Sequence, residues 1–448
     1  MELPVNVLDE WVKGKMGVES NRRLTPKIIK DYQLGKLVDV LTYVSQTSPF
    51  YRRHLEGCQV NNLKSLEDVA RLPFTTEEDL RSSGLQMLCV SQSRINRVVT
   101  LDTSGTTGSP KRVFFTLDDQ ALTVEFFQQG LATFTSSGEK VLIFLPGERP
   151  GSIGDLLAKA MENLGVEPVQ FGVGQTLREI LDKLVDTQAQ VIIGIPIHVL
   201  ALARYHRLLV PQKPLNLKRV LLTTDYVAQT VVEAIRGSWH CEVFRYYGMT
   251  EMGYGGGIEC RQHDGYHLYQ GDFLLEIVDP DLGTRLPEGE LGEVVITTLT
   301  RKGMPLIRYR TGDLARLIPE PCPCGSVLTR LGPIKRRITG LIKVAENTGI
   351  TIGELDEILL ALPGVVDFTA VFSSLTEPFL LEIEIETLGR TIDLSQLQRA
   401  LQAHPAAELL LKQDRLRLRI KEIVDPAGYQ PRIGKRRLEV KTDHEGQG

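Results

Sequence analysis

VIIGI at residues 191–195, with VLIFL at 141–145 before it and VLLTT at 220–224 after it, decides the fold class. Each is an unbroken apolar run about one strand long, as expected of a strand covered on both faces. Between such runs the sequence changes period: residues 118–134, 154–164 and 177–185 carry helical spacing. Strand and helix in alternation predict an α/β domain with a largely parallel sheet. Working outward, VVTL (98–101), VFFT (113–116) and VFRYY (243–247) read as further strands of the same series. Upstream, Leu34, Leu37, Val38, Leu41 and Val44 recur at steps of three and four, predicting an amphipathic helix.

After about Gly271 the texture changes. FLLEIVD and GEVVITTL are separated by the turns DPDLGT and PEGELG, which predicts a β-rich subdomain over about 271–320. A second change comes near Arg337. The remainder reads helix (352–362), strand (366–372), strand (379–386), helix (394–404) and strand (416–424), a small α+β unit. The expected division is a large N-terminal domain, 1–336, and a C-terminal domain, 337–448.

The chain has 448 residues, 42% hydrophobic and 24% charged, which excludes bulk disorder. Its formal net charge of −4 gives no electrostatic footprint for nucleic acid or an anionic membrane. The most apolar stretch, Val191 to Ala203, is too short to span a bilayer and contains His198. The opening MELPVNVLDEW lacks the basic-then-apolar pattern of a secretory signal. Six cysteines are too few for a disulfide scaffold, so a reducing, cytoplasmic setting is expected. Cys58, Cys89, Cys241 and His198 sit in apolar or mixed patterns and read as packing residues.

Residues 101–116, LDTSGTTGSPKRVFFT, form a glycine- and hydroxyl-rich loop between two strand-like runs. Small residues let backbone N–H groups approach phosphate oxygens, and Ser104, Thr106, Thr107 and Ser109 add donors. Lys111 adds a positive charge for the outer phosphates. The loop is not a Walker loop, because Gly108 is followed by Ser-Pro-Lys-Arg and then a strand. TSGTTGSPK resembles the phosphate loop of the adenylate-forming superfamily of acyl- and aryl-CoA ligases. Three further segments resemble that superfamily's motifs in order: Tyr247-Gly248-Met249-Thr250-Glu251, Tyr309-Arg310-Thr311-Gly312-Asp313, and Pro431-Arg432-Ile433-Gly434-Lys435, the last one residue short. QLGKLVDVLTYVSQTSPFYRRHL, LPFTTEEDLR and CPCG are similar to the phenylacetate-CoA ligase branch.

The resemblance implies a fold: a large adenylate-forming domain of layered sheets and helices with a small mobile α+β domain behind it. It also implies roles. Thr103, Ser104, Gly105, Thr106, Thr107, Gly108 and Lys111 would cradle ATP phosphates. Thr250 would touch the α-phosphate and Glu251 would help hold Mg²⁺, a hard cation that takes oxygen ligands. Tyr247, with Gly248 and Met249, would pack against adenine. Asp313 would accept from the ribose hydroxyls. Arg337 would contact the nucleotide at the hinge, where Thr339-Gly340 replaces the usual acidic pair or lysine. Lys435 would bridge carboxylate and phosphate during adenylation.

Cys260, His267, Cys322 and Cys324 are a donor set suited to structural Zn²⁺, although their spacing is not that of a zinc finger. The phenylacetate-ligase branch carries a similar set. His263 is a rival fourth ligand.

These readings converge on an ATP-dependent acid–thiol ligase. A carboxylic acid, aryl or arylacetic by resemblance, is activated as acyl-AMP and passed to coenzyme A. A carrier-protein thiol, another small-molecule acceptor, or a nucleotide-binding regulatory relic are the alternatives. No nucleic-acid or membrane partner is expected, and a homodimer is left open. The identity of the acid is not legible, because fold resemblance does not rank one acid against another.

Overall fold

In the computed structural model the described residues are 7–19, 21–101, 110–338, 340–345, 348–374, 378–389, 391–424, 429, 436 and 438–440. The chain forms two compact units. One comprises Met1–Ser137, Arg149–Val166 and Phe244–Ile334; the other comprises Gly138–Glu148, Glu167–Val243 and Lys335–Gly448.

In the second unit the central apolar runs become parallel strands, ordered Arg219–Leu222, Val191–Gly194, Lys140–Phe144, Glu167–Gln170. Val141, Leu142, Val191, Ile192, Ile193 and Val220 are fully buried, which explains the missing polar alternation. The helices Leu177–Thr187, Pro196–Leu209 and Gln229–Trp239 belong to this unit. Thr176 starts the first of them through a capping box with Glu179. Gly194 is required by close packing: a Cβ there would lie 2.7 Å from Cγ2 of Val199.

The C-terminal part of this unit is a sheet ordered Leu416–Val424, Phe379–Thr387, Val365–Ser374, Glu439–Val440. The helix expected over 394–404 runs Leu394–Gln402, and a second helix, Pro405–Lys412, follows it. Pro405 occupies the first turn of the second, where its missing N–H costs nothing.

The first unit is antiparallel. Its main sheet runs Leu317–Ile318, Arg330–Leu331, Tyr266–Leu268, Gly256–Glu259, and then the strand that ends at Gly248. A second set pairs Phe273–Val278, Gly292–Thr298 and Tyr309–Ala315. Arg97–Leu101 and Lys111–Phe115 form a hairpin. This corrects the reading of 98–101 and 113–116 as members of the parallel series, whereas the strand holding 243–247 stands next to Arg219–Leu222 in the same sheet. An apolar run carries no direction, and the nine residues between Leu101 and Lys111 are too few for the dozen or more of a parallel crossover. Among the described residues no helix is long and apolar enough to cross a membrane.

Candidate active site

The Tyr-Gly-Met-Thr-Glu segment leaves the strand Glu242–Gly248 and enters a single 3₁₀ turn, Thr250–Met252. Gly248 is fixed by sterics, since a Cβ there would stand 2.8–2.9 Å from the carbonyls of Tyr254 and Gly255. Three hydrogen bonds grip the turn, one from the strand leading into it and two from distant parts of the chain. Tyr246 donates its hydroxyl to the Tyr254 carbonyl at 2.8 Å, Thr123 donates to Gly253 at 2.8 Å, and Arg301 Nη1 donates to Glu251 at 2.7 Å. Arg301 is buried, also donates to the Phe114 carbonyl, and lies over the Phe115 ring at 4.5 Å. Burial pulls its pKa down, opposed by the charges of Asp119 and Glu251. Asp119 accepts from the Lys302 and Gly303 amides at 2.9 and 3.0 Å, fixing the turn that presents Arg301.

The held turn aims the Glu251 side chain inward, where it is 3% exposed. Its Oε1 lies 2.5 Å from the Lys111 ammonium and 3.3 Å from the Tyr309 hydroxyl, which donates to it. Lys111 opens the strand Lys111–Phe115, immediately after the phosphate loop, and also reaches Glu77 Oε1 at 3.4 Å. Four residues beyond Tyr309, the Asp313 carboxylate accepts from the Tyr247 hydroxyl at 3.1 Å. The turn before Asp313 is braced by Glu293, which binds the Arg310 guanidinium and accepts from the Gly312 amide at 3.0 Å. Gly312 has φ +74, a conformation glycine alone adopts freely. The expected adenine platform and ribose acceptor thus form one pair, Tyr247–Asp313, and the expected metal-binding carboxylate and phosphate-side lysine another, Glu251–Lys111, both within the first unit.

A second cluster lies in the same unit. The ligand atoms of Cys260, His267, Cys322 and Cys324 all fall within 4.8 Å of one another. Cys260 follows the strand Gly256–Glu259, and His267 sits on the next strand, Tyr266–Leu268. The two remaining cysteines occupy the turn between Leu317–Ile318 and Arg330–Leu331. Cys260 and Cys322 sulfurs are 3.7 Å apart, and Cys324 Sγ is 3.5 Å from His267 Nε2. Tetrahedral coordination with Zn–S near 2.3 Å and Zn–N near 2.0–2.1 Å demands separations of about 3.8 and 3.6 Å, which these two pairs match, the whole set lying within 4.8 Å. Without a cation the thiols cannot all ionise: the Cys260 hydrogen bond and His267 pull Cys324 down, while Cys260 and Cys322 are pushed up. Arg330 ties the loops together, donating to the Asp264 carbonyl and carboxylate at 2.6 Å and to the Glu320 carbonyl at 2.7 Å. His263 is not a member: its Nδ1 lies 3.5 Å from Glu259 and its ring tilts against Phe244.

The model of the AMP-binding enzyme family matches residues 66–300, just over half of the chain. The chain belongs to the AMP-binding enzyme family. A phenylacetate-coenzyme A ligase of Thermus thermophilus is 30% identical over 426 residues, 90% of this chain and 94% of that protein. One of Pseudomonas putida is 30% identical over 65% of this chain and 67% of its own length. This AMP-binding enzyme therefore falls in the phenylacetate-CoA ligase-like branch. A crystal structure of 2-hydroxyisobutyryl-CoA ligase in the postadenylation state, in complex with 2-HIB-AMP, is similar in fold. Its TM-score is 0.77 at 22% identity, covering 94% of this chain and 91% of that one.

Within this AMP-binding enzyme the residues expected from sequence divide into three groups. Tyr247, Gly248, Met249, Thr250, Glu251, Asp313 and Lys111 lie in the first unit, in and around the two pairs described above. Arg337 is exposed on a two-residue strand, Arg336–Arg337, of the second unit. Thr103, Ser104, Gly105, Thr106, Thr107, Gly108, Thr339 and Lys435 lie outside the described residues. Sequence reasoning missed Arg301, Glu293 and Glu77. Arg301 and Glu293 are buried charges whose partners lie 50 and 17 residues away, so no local pattern marks them.

Proposed function

We infer that this chain is an ATP-dependent acid–thiol ligase. A carboxylate oxygen attacks the α-phosphorus of ATP and pyrophosphate leaves. The thiol sulfur of coenzyme A then attacks the acyl carbon, AMP departs, and the thiol proton is released. The observation that carries this reading is a likeness at 30% identity running through 94% of a phenylacetate-CoA ligase. It is supported by the pairs Tyr247–Asp313 and Glu251–Lys111 in the same unit. Both reactants of the first step are anions, so the work is positioning and charge neutralisation, and no protein nucleophile is needed.

Glu251 offers a buried carboxylate of the hard-oxygen kind a divalent cation takes, with Oε1 paired to the Lys111 ammonium at 2.5 Å. Bound Mg²⁺ would shield the charge of the phosphates that Lys111 also faces. Thr250 would donate to the α-phosphate, Tyr247 would stack on adenine, and Asp313 would take the ribose hydroxyls. Lys435 would be delivered by the region 337–448, and Arg337 would meet the nucleotide from the same side. The acid is proposed to be aryl or arylacetic, the setting cytoplasmic, and the Cys260–His267–Cys322–Cys324 cluster a structural zinc site.

The test is a panel of aryl, arylacetic and short alkyl acids, scored by pyrophosphate release with ATP and Mg²⁺, then by thioester on adding CoA. Acid-dependent release followed by CoA thioester is the expected result. ATP binding with no release for any acid would overturn the assignment.

A further inference from the structure

Lys111 is shared between two carboxylates of very different standing. The contact with Glu251 is short and buried, with side chains 12% and 4% exposed. The contact with Glu77, at 3.4 Å, is looser; Glu77 is 39% exposed and also binds Arg81 at 2.8 Å. Glu77 is nevertheless rigidly placed. Thr76 caps its helix, Glu77–Ser83, through a capping box with Asp79. Thr75, two residues before Glu77, is stitched to the strand that carries Tyr309. Its amide donates to Arg308 at 3.1 Å, its carbonyl accepts from Arg310 at 3.0 Å, and its hydroxyl donates to Ile307 at 2.7 Å. Tyr309 in turn donates to Glu251. The two carboxylates flanking Lys111 are thus held by the same strand.

This geometry creates a conflict. One oxygen of Glu251 cannot serve an ammonium at 2.5 Å and a divalent cation together, because the two cations would repel at close range in a buried setting. If the divalent cation takes Oε1, the lysine must move, and its four-carbon stem permits that. Among the described residues, the second carboxylate already touching its ammonium is Glu77.

We propose that Glu77 is a positioning residue that takes over the Lys111 ammonium when Glu251 turns to magnesium. Arg81 competes with Lys111 for Glu77 and so opposes the transfer. The proposal rests on the reading of Glu251 as the magnesium ligand. Glu77 and Arg81 then set how much Mg²⁺ the site needs for nucleotide binding, without touching substrate.

The experiment titrates Mg²⁺ against ATP affinity by calorimetry on the full chain, with no acid present so that no turnover occurs. Glu77→Gln is expected to raise the half-saturating Mg²⁺ concentration about fivefold, the scale of one partly exposed ion pair. Arg81→Gln is expected to lower it. Both shifts should vanish in a Lys111→Met background, because the effect passes through the lysine. A shift that persists there reports only the field of the charge and overturns the proposal, as does a silent Glu77→Gln. If Glu251→Gln leaves the Mg²⁺ requirement unchanged, the metal-ligand reading fails, and that failure is seen independently of Glu77. Both Glu77 and Arg81 have solvent-reached side chains, so their substitution leaves the fold in place, which a thermal melt checks.

Discussion

At the scale of single residues, Glu251 combines two attachments that substitution can separate. Its backbone carbonyl is held by Arg301, and its side chain meets Lys111 and Tyr309. Glu251→Gln keeps the shape and the Arg301 hydrogen bond while removing the charge. The expected outcome is an intact fold by thermal melting and a fall in acid-dependent pyrophosphate release of about 10²-fold or more, the usual cost of one strong charge-stabilising group. Wild-type release at limiting Mg²⁺ would remove Glu251 from the metal site. Tyr247→Phe probes a different contribution. The hydroxyl holds the Asp313 carboxylate at 3.1 Å, so its loss should loosen the ribose acceptor while leaving a ring for adenine. KM for ATP should rise roughly three- to tenfold with kcat little changed, the signature of binding shared by ground and transition states. A drop in kcat at unchanged KM would contradict that role.

At the scale of elements, the Cys260–His267–Cys322–Cys324 cluster depends on two loops brought together by strand pairing. Arg330 pairs in register with His267, which sets the cysteine turn beside the Cys260–His267 hairpin. A cation there closes a loop between residues 62 apart in sequence, Cys260 and Cys322, and so acts on folding. About one zinc per chain is expected from metal analysis of protein purified without chelator. Stripping it should lower the melting temperature more than it lowers pyrophosphate release at 25 °C. Metal-free protein with an unchanged melt would end the idea. The same elements show why legibility was uneven. The buried strands 141–145, 191–195 and 220–224 announced themselves because continuous apolarity is local information. Strand direction did not, since pairing is decided by connection length and by partners far along the chain. The motif residues Tyr247, Glu251 and Asp313 could be read from short strings. Arg301, which grips the motif, could not, because a lone arginine in a TLTRKG segment looks like any surface charge.

At the scale of the whole molecule, the proposed chemistry asks one chain to serve two half-reactions, and the proposal gives the C-terminal region 337–448 the part of the mover. In the described conformation it is tied to residues 226–230 of its own unit: Glu357 accepts from the Tyr226 hydroxyl and from the Gln229 and Thr230 amides at 2.7–3.2 Å. The buried Arg204 guanidinium also donates to the Leu360 carbonyl of this region. Gly340 has φ +116, a conformation that glycine adopts freely, and nothing lies within 4 Å of where a Cβ would stand. A swing of 337–448 about this glycine would bring Lys435 to the phosphates for adenylation and withdraw it for thioester formation. The phosphate loop and Asp313 would bind ATP without the lysine, whose charge matters chiefly as pyrophosphate leaves. An interaction made only at that moment lowers kcat and kcat/KM together. Lys435→Ala should therefore slow acyl-AMP formation by roughly 10²–10³-fold with ATP affinity little changed. Thioester formation from pre-made acyl-AMP should proceed at the wild-type rate. If the variant adenylates normally, PRIGK is only a basic segment, and Lys343, exposed on the strand Ile342–Ala345 just beyond the hinge, becomes the lysine to substitute next.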